Sequence, residues 1–241
     1  MFRIADIILS MENIKVLSVG GSIVAPDKVD TVFLTNFKQA IIEYLNEDLE
    51  RKLVFVVGGG GPARSYQKAY REIVEQPDTD SQDWIGIMAT RLNGELLKGV
   101  FGDECPDPVV TNPTSIKKFN GRILVAAGWK PGFSTDNDSV LLAENIGADQ
   151  VINLSNISKV YSADPKIDST AVPLDNISWS EMRTLVGDKW TPGVNVPFDP
   201  VATKRASELN LTVITAAGND IENMKKILVG ADFVGTTIGP E

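Results

Sequence analysis

The chain has 241 residues, 43% hydrophobic and 23% charged, which is the composition of an ordinary globule with length for one large domain or two small ones. It carries no histidine, so Ser-His-Asp triads, histidine-ligated zinc and imidazole bases are excluded together. Its 23 basic and 32 acidic residues leave a net charge of −9, which argues against nucleic acid and anionic membranes as partners.

The N-terminus, Met1 to Leu9, has an acid, Asp6, inside its apolar run and no clear cleavage site, so it does not read as a signal peptide. No stretch approaches the length of a transmembrane helix. Residues 1–14 read as an extension, with Met11 close to the first convincing strand, and 15–241 as one α/β domain. The single Cys105 can form neither an internal disulfide nor a metal cluster; it reads as a small buried hydrophobe in a cytoplasmic protein.

One unit then keeps returning. Val16–Val19 is a strand running into Gly20-Gly21-Ser22, and Leu53–Val57 is a strand running into Gly58-Gly59-Gly60-Gly61-Pro62. Pro62 suits the first position of a helix that Ala63 to Ile73 can continue. Gly102 to Pro113 reads as a surface connection. Ile123–Ala127 is the next strand, followed by a helix that Thr135 can cap and Gly147 can close. Val151–Leu154 runs into a polar loop, residues 187–200 form a Pro- and Gly-punctuated loop, and Asp199-Pro200 opens a helix to about Leu209 with Asn210 as its stop. Leu211–Thr215 is a strand, and Asp220 caps a last helix ending near Gly230. Strands alternating with helices of this length predict a three-layer α/β/α sandwich around a mainly parallel sheet. Ligands in such folds sit beyond the C-terminal strand ends.

The glycine run after Val57 carries the strongest chemistry. A strand, a glycine loop and a helix N-terminus make an anion site, because exposed N–H groups and the helix dipole converge. Arg64 adds a guanidinium fork in the first turn. The alternative is that the glycines only turn the chain. Gly20-Gly21 is a weaker second case of close backbone approach. Trp129 to Asp136 is a loop offering a cation, hydroxyls and a helix start, and Val160 to Lys166 joins an aromatic ring, a carboxylate and a lysine.

Taken in order, Val19–Ser22, Val57–Arg64, Asp83–Ile87 with Thr90–Asn93, Pro131–Asp136, Val160–Lys166 and Gly235–Ile238 resemble the amino acid kinase family, and within it the archaeal-type uridylate (UMP) kinase branch. The resemblance covers roughly Lys15 to Ile238. It implies that the N-terminal part holds the acceptor and the C-terminal part ATP. Gly20, Gly21, Gly60 and Arg64 would hold ATP phosphates, with Ser155, Tyr161 and Asp164 around its base and ribose. Gly59, Asp83 and the loop Trp129, Lys130, Pro131, Gly132, Phe133, Ser134 and Thr135 would hold UMP. It also implies Mg²⁺, a hexamer, and transfer of a phosphoryl group from ATP to UMP. Kinases of another small acceptor and a non-catalytic nucleotide-binding or storage relative are the rival readings.

The chemistry suits a histidine-free chain. A nucleoside monophosphate, with a second pKa of about 6, is largely dianionic at neutral pH and attacks without a general base. Three departures from the family pattern stand out. Ser18 occupies a position that is lysine in many members, Trp129 one that is usually small, and Ser158-Lys159 replaces an Asp-Gly pair. If that glycine is left-handed, Lys159 there costs on the order of 1 kcal/mol. With no lysine at 18, Lys204, Lys130, Lys159 and Lys166 are the candidates to offset charge on the transferred phosphoryl group, Lys204 and Arg64 being the catalytic pair expected. For Lys204 the alternative is a solvated lysine paired with Glu208 at i+4.

Overall fold

The computed structural model describes residues 14–187 and 196–240. The N-terminal extension, save Ile14, and most of the 187–200 loop therefore lie outside the described residues. A seven-stranded sheet runs in the order β3-β2-β1-β4-β6-β7-β5. Its strands are β1 (Ile14–Val19), β2 (Lys52–Val57), β3 (Ile123–Ala126), β4 (Gln150–Ser155), β5 (Asn176–Ser178), β6 (Thr212–Ala217) and β7 (Thr236–Gly239). All neighbours are parallel except β6 and β7. The described helices are α1 (Gly21–Val24), α2 (Thr31–Asn46), α3 (Gly60–Ile73), α4 (Thr79–Phe101), α5 (Thr135–Ile146), α6 (Trp179–Val186), α7 (Pro200–Glu208) and α8 (Ile221–Val229).

The central strands are apolar on both faces, as parallel strands covered by helices must be. On one face Leu17, Val19, Phe55, Val57, Ile152 and Leu154 pack with residues of α2, α4 and α8. Phe37, Phe55 and Phe101 interlock there with ring centroids 5.3–6.0 Å apart. On the other face Val16, Val54, Val56, Val151 and Val213 pack with α5, α6 and α7. The three-layer sandwich expected from the sequence is the observed fold. Cys105 is buried, and desolvation raises its thiol pKa, as for an inert core residue.

Several local expectations move by a few residues. Helix α3 starts at Gly60, with Gly59 as its N-cap, so Pro62 stands third rather than first; Gly60 reaches the helix through φ +63°, open to a glycine. Ser134, not Thr135, caps α5, because its side chain accepts from Asn137 N. The segment from Gly102 to Pro113 is not all surface: Val110 is buried and pairs with β3, its N–H donating to Val125 O at 2.9 Å. Asp199 and Pro200 open α7, Asp220 caps α8, and Gly147 and Gly230 close their helices left-handed. Asn210 is the one non-glycine with positive φ among the described residues. Lys159 therefore carries no left-handed strain.

Candidate active site

The strand order sets where the site lies. From β1 the chain moves outward to β2 and β3, then returns to place β4 on the other side of β1. The sheet order therefore reverses between β1 and β4, the switch point beyond whose strand ends ligands bind in such sheets. Gly20 follows β1, and Ser155 ends β4 beside it: Gly20 N donates to Leu154 O at 2.9 Å, and Gly218 N donates to Ser155 O at 2.8 Å. A Cβ on Gly20 would come within 2.9 Å of Leu154 O. Three loops thus meet at the switch point through glycine.

The glycine run packs on Gly21. A Cβ on Gly21 would lie 2.2 Å from Gly60 N and 2.4 Å from Gly58 C, and one on Gly61 would lie 2.2 Å from Pro26 O. The close approach inferred from sequence is thus first of all between two loops of the protein itself. Buried Asn93 in α4 fixes the run from behind, donating to Gly58 O at 2.8 Å and Gly59 O at 3.3 Å. Arg64, exposed in the first turns of α3, crosses the junction and donates to Ser22 Oγ at 2.9 Å and Pro26 O at 2.8 Å. Its guanidinium therefore lies against the loop of Gly20 and Gly21, while Gly59 faces α4 near Gly86. The strand, glycine loop and helix N-terminus coincide as the sequence indicated.

The loop of residues 129–135 is built from the end of β3. Lys130-Pro131-Gly132-Phe133 is a turn closed by Phe133 N donating to Lys130 O at 3.3 Å, with Gly132 at φ +80°. Pro followed by a positive-φ Gly is the pairing a type II turn demands. Asp83 does not cap α4; Asp78 does, and Asp83 lies within the helix. Its Oδ2 accepts from Gly132 N at 2.8 Å, which brings it to the 129–135 loop. Thr90 accepts from Gly128 N at 2.8 Å, and Arg91 donates to Gly128 O and Trp129 O at 3.3 and 3.0 Å. One helix, α4, thus holds the loop at Gly128, Trp129 and Gly132. Lys130 Nζ stands 4.0 Å from the Trp129 ring centroid and 4.9 Å from that of Phe133, and the two rings meet edge-on at 4.8 Å.

Two carboxyls beneath the loop carry raised pKa values. Desolvation pushes Asp136 up to about 6, against hydrogen bonds from Asp199 N at 3.2 Å and Ser18 Oγ at 3.3 Å. Ser18 brings no charge to neutralise it. Desolvation pushes Asp138 up to about 7, opposed by one bond from Trp129 N at 3.1 Å. Asp199 Oδ1 is taken up in capping α7 through Val201 N and Ala202 N.

The remaining sequence candidates are less tightly gathered. Tyr161 is half-buried on the loop after β4, and Asp164 is exposed, its carboxylate closing a local turn through Lys166 N at 2.9 Å. Ser155 Oγ accepts from Ile157 N. Lys204 is exposed, with its ammonium 4.0 Å from Glu208. Lys159 is paired with Asp175. The sequence reading assigned no role to Ser18, Asn93, Thr90, Arg91, Asp136 or Asp138. A polar residue inside an apolar strand or helix pattern was the available signal for Ser18, Thr90 and Asn93, whereas Asp136 and Asp138 lie in the polar run Thr135–Ser139 and offered none.

Fold and strand-end loops together define an α/β protein with glycine loops gathered at a topological switch point. The amino acid kinase family description matches residues 13–215, and the chain belongs to that family. Relatives named uridylate kinase are 36% identical over 226 residues in Methanospirillum hungatei JF-1, covering 92% of this chain and 93% of the relative. In Methanocorpusculum labreanum the figure is 36% over 228 residues, covering 93% and 94%. The crystal structure of uridylate kinase from Archaeoglobus fulgidus superposes with a TM-score of 0.79 at 33% identity, covering 93% of this chain and 99% of that one. UMP kinase from Bacillus anthracis shares the fold, with a TM-score of 0.74 at 20% identity, covering 95% and 96%.

Proposed function

We propose that this chain transfers a phosphoryl group from ATP to UMP, giving ADP and UDP. The observation that carries the reading is the convergence of Gly20, Gly21, Gly60 and Arg64 at the switch point, with the Asp83-anchored acceptor loop on the neighbouring strand ends. It is supported by likeness to the archaeal uridylate kinases over most of the chain.

In this assignment the N-terminal part of the domain forms the acceptor side and the C-terminal part the ATP side. Backbone N–H groups around Gly20, Gly21 and Gly60 and the Arg64 fork hold the ATP phosphates. Ser155, Tyr161 and Asp164 face the base and ribose. Gly59, Asp83 and residues 129–135 hold UMP, whose dianionic phosphate attacks in line. Positioning and charge neutralisation supply the catalysis. No group of three or more acidic or cysteine side chains able to hold a metal occurs among the described residues. When bound, Mg²⁺ neutralises charge on the transferred group.

Lys204 is kept as the catalytic cation, since α7 starts at the strand ends, where Asp199 N meets Asp136. This requires its ammonium to leave Glu208. A Lys204→Met variant with kcat within about threefold of the parent, well under 1 kcal/mol, would reduce it to a solvated helix lysine. We also assign a cytoplasmic location, since the one cysteine, Cys105, is free and buried, as suits a reducing compartment. A homo-oligomer, a hexamer by family resemblance, is assigned because α3 and α4 expose Tyr66, Trp84, Met88 and Leu92 together, at 71, 44, 58 and 68% of their full areas. Met88→Asp should lower the mass seen in sedimentation; an unchanged mass removes that face from the interface.

The test of the assignment is a coupled assay with MgATP and UMP, CMP, dUMP, carbamate or acetylglutamate, run beside calorimetry for ATP. Turnover with UMP above the others is expected. Tight ATP binding with no turnover would support the storage reading instead.

A further inference from the structure

We propose that Asp138 is the positioning residue of the acceptor loop, its carboxyl fixing the Trp129 amide and so making acceptor affinity depend on pH. The inference rests on the acceptor assignment above. Asp138 lies in the first turns of α5, only 2% exposed. Its Oδ2 accepts from Trp129 N, and its Oδ1 is buried with no partner. Every other backbone polar group of Gly128 and Trp129 is held from α4, by Thr90 and Arg91. Asp138 is the attachment from the opposite side, and it is the one that can change charge near neutrality.

The unpartnered oxygen makes the two forms nearly balanced. Protonated, the carboxyl leaves an O–H without an acceptor; ionised, it leaves a buried charge answered by a single N–H. The charged groups around it are Asp136 on its own helix, Asp199 at the start of α7, Arg91 on α4 and Lys130 in the loop. Arg91 is engaged by two carbonyls, Lys130 lies over the aromatic rings, and Asp136 is held by Ser18 and Asp199 N. None of them forms an ion pair with Asp138 among those found for the described residues.

The sign follows from the bond. On ionisation the proton leaves to solvent and the Trp129 N–H bond becomes charge-assisted, roughly twice as strong as the neutral one. The loop carrying Trp129, Lys130 and Phe133 is then held more firmly, so KM for UMP falls as pH rises through about 7. UMP gains its own second charge near about 6, and an Asp138→Asn variant, which keeps an acceptor oxygen but cannot titrate, isolates that contribution.

The experiment measures KM for UMP, KM for ATP and kcat of the parent and of Asp138→Asn at intervals from pH 6 to 8.5. The ratio of KM for UMP at pH 6 to that at pH 8 should be at least about threefold larger in the parent, with KM for ATP following one profile in both. Superimposed UMP profiles, or equal movement of KM for ATP, would overturn the proposal. A second readout needs no turnover: the emission lost in Trp129→Phe, followed against pH without substrates. It should show a transition near pH 7 that Asp138→Asn abolishes, and its absence from the parent overturns the proposal. A chain that shows this transition yet turns over no UMP refutes the acceptor assignment and not the role of Asp138.

Discussion

Replacing Gly21 by alanine tests the packing of the two glycine loops with a single methyl group. The added Cβ would sit 2.2 Å from Gly60 N, 2.4 Å from Gly58 C and 2.6 Å from Gly58 O. All three are backbone atoms, so no side chain can swing away, and ordinary contact needs about 3.4 Å or more. The two loops must part by roughly 1 Å. A displacement of that size at a phosphoryl-transfer site costs on the order of 10²-fold in rate, about 2.7 kcal/mol of transition-state stabilisation. Overpacking adds about 1–3 kcal/mol of lost stability. Coupled ADP release at saturating UMP, with urea denaturation of the same preparations, separates the two effects. Gly230→Ala, where an added Cβ meets nothing within 4 Å but φ is +72°, supplies a strained control away from the glycine loops. If Gly21→Ala retains kcat/KM within threefold and its stability is unchanged, the loops are not packed as described.

Further expectations follow from individual contacts. Arg64→Ala should lower kcat/KM by at least about tenfold, roughly 1.4 kcal/mol, through loss of a charge-assisted phosphate contact; unchanged kinetics would leave Arg64 as the tie between Ser22 and Pro26. Asp83→Ala should raise KM for UMP by about tenfold with little change in KM for ATP, since it removes the acceptor for Gly132 N; calorimetry with UMP alone checks this. Stability should fall as pH rises from about 4 to 7. The carboxyls of Asp136 and Asp138 are raised from 3.8 to about 6 and about 7, so the native state binds more protons than the unfolded state across that window. Below 3.8 both states are protonated and the penalty vanishes; above 7 it is complete, at most about 4 kcal/mol for Asp138 at 1.36 kcal/mol per pH unit. Asp78, depressed to about 2, acts below this window. Urea midpoints at pH 5 and 8 should differ less for Asp138→Asn than for the parent; an equal difference would refute the shift.

Elements whose signals are local were the most legible in the sequence. Asp199-Pro200, Asp220, Gly147, Gly230 and Asn210 mark helix ends through their own backbone or side-chain chemistry, and the structure places them there. The strand of residues 53–57 is apolar throughout because both its faces are covered, so its burial between helical layers could be read directly. Shifts arose where two adjacent residues offer the same chemistry, as Ser134 and Thr135 do for capping. They also arose where a glycine reaches helical geometry from positive φ, as Gly60 does ahead of Pro62. In the site, Asp83 meets from inside α4 the loop with which the resemblance had grouped it. The support from Asn93, Thr90, Arg91 and Asp138 was not. Each makes its contact with residues far away in sequence or across a loop, and only packing of α4 and α5 against the strand ends creates those pairs.

The most direct test of the account is steady-state turnover of MgATP with UMP by the unmodified chain, with UDP and ADP quantified together. The account predicts one UDP for each ADP, with a kcat/KM for UMP at least tenfold above that for carbamate or acetylglutamate. ATP bound tightly with no UDP formed, or a preference for a non-nucleotide acceptor, would contradict it.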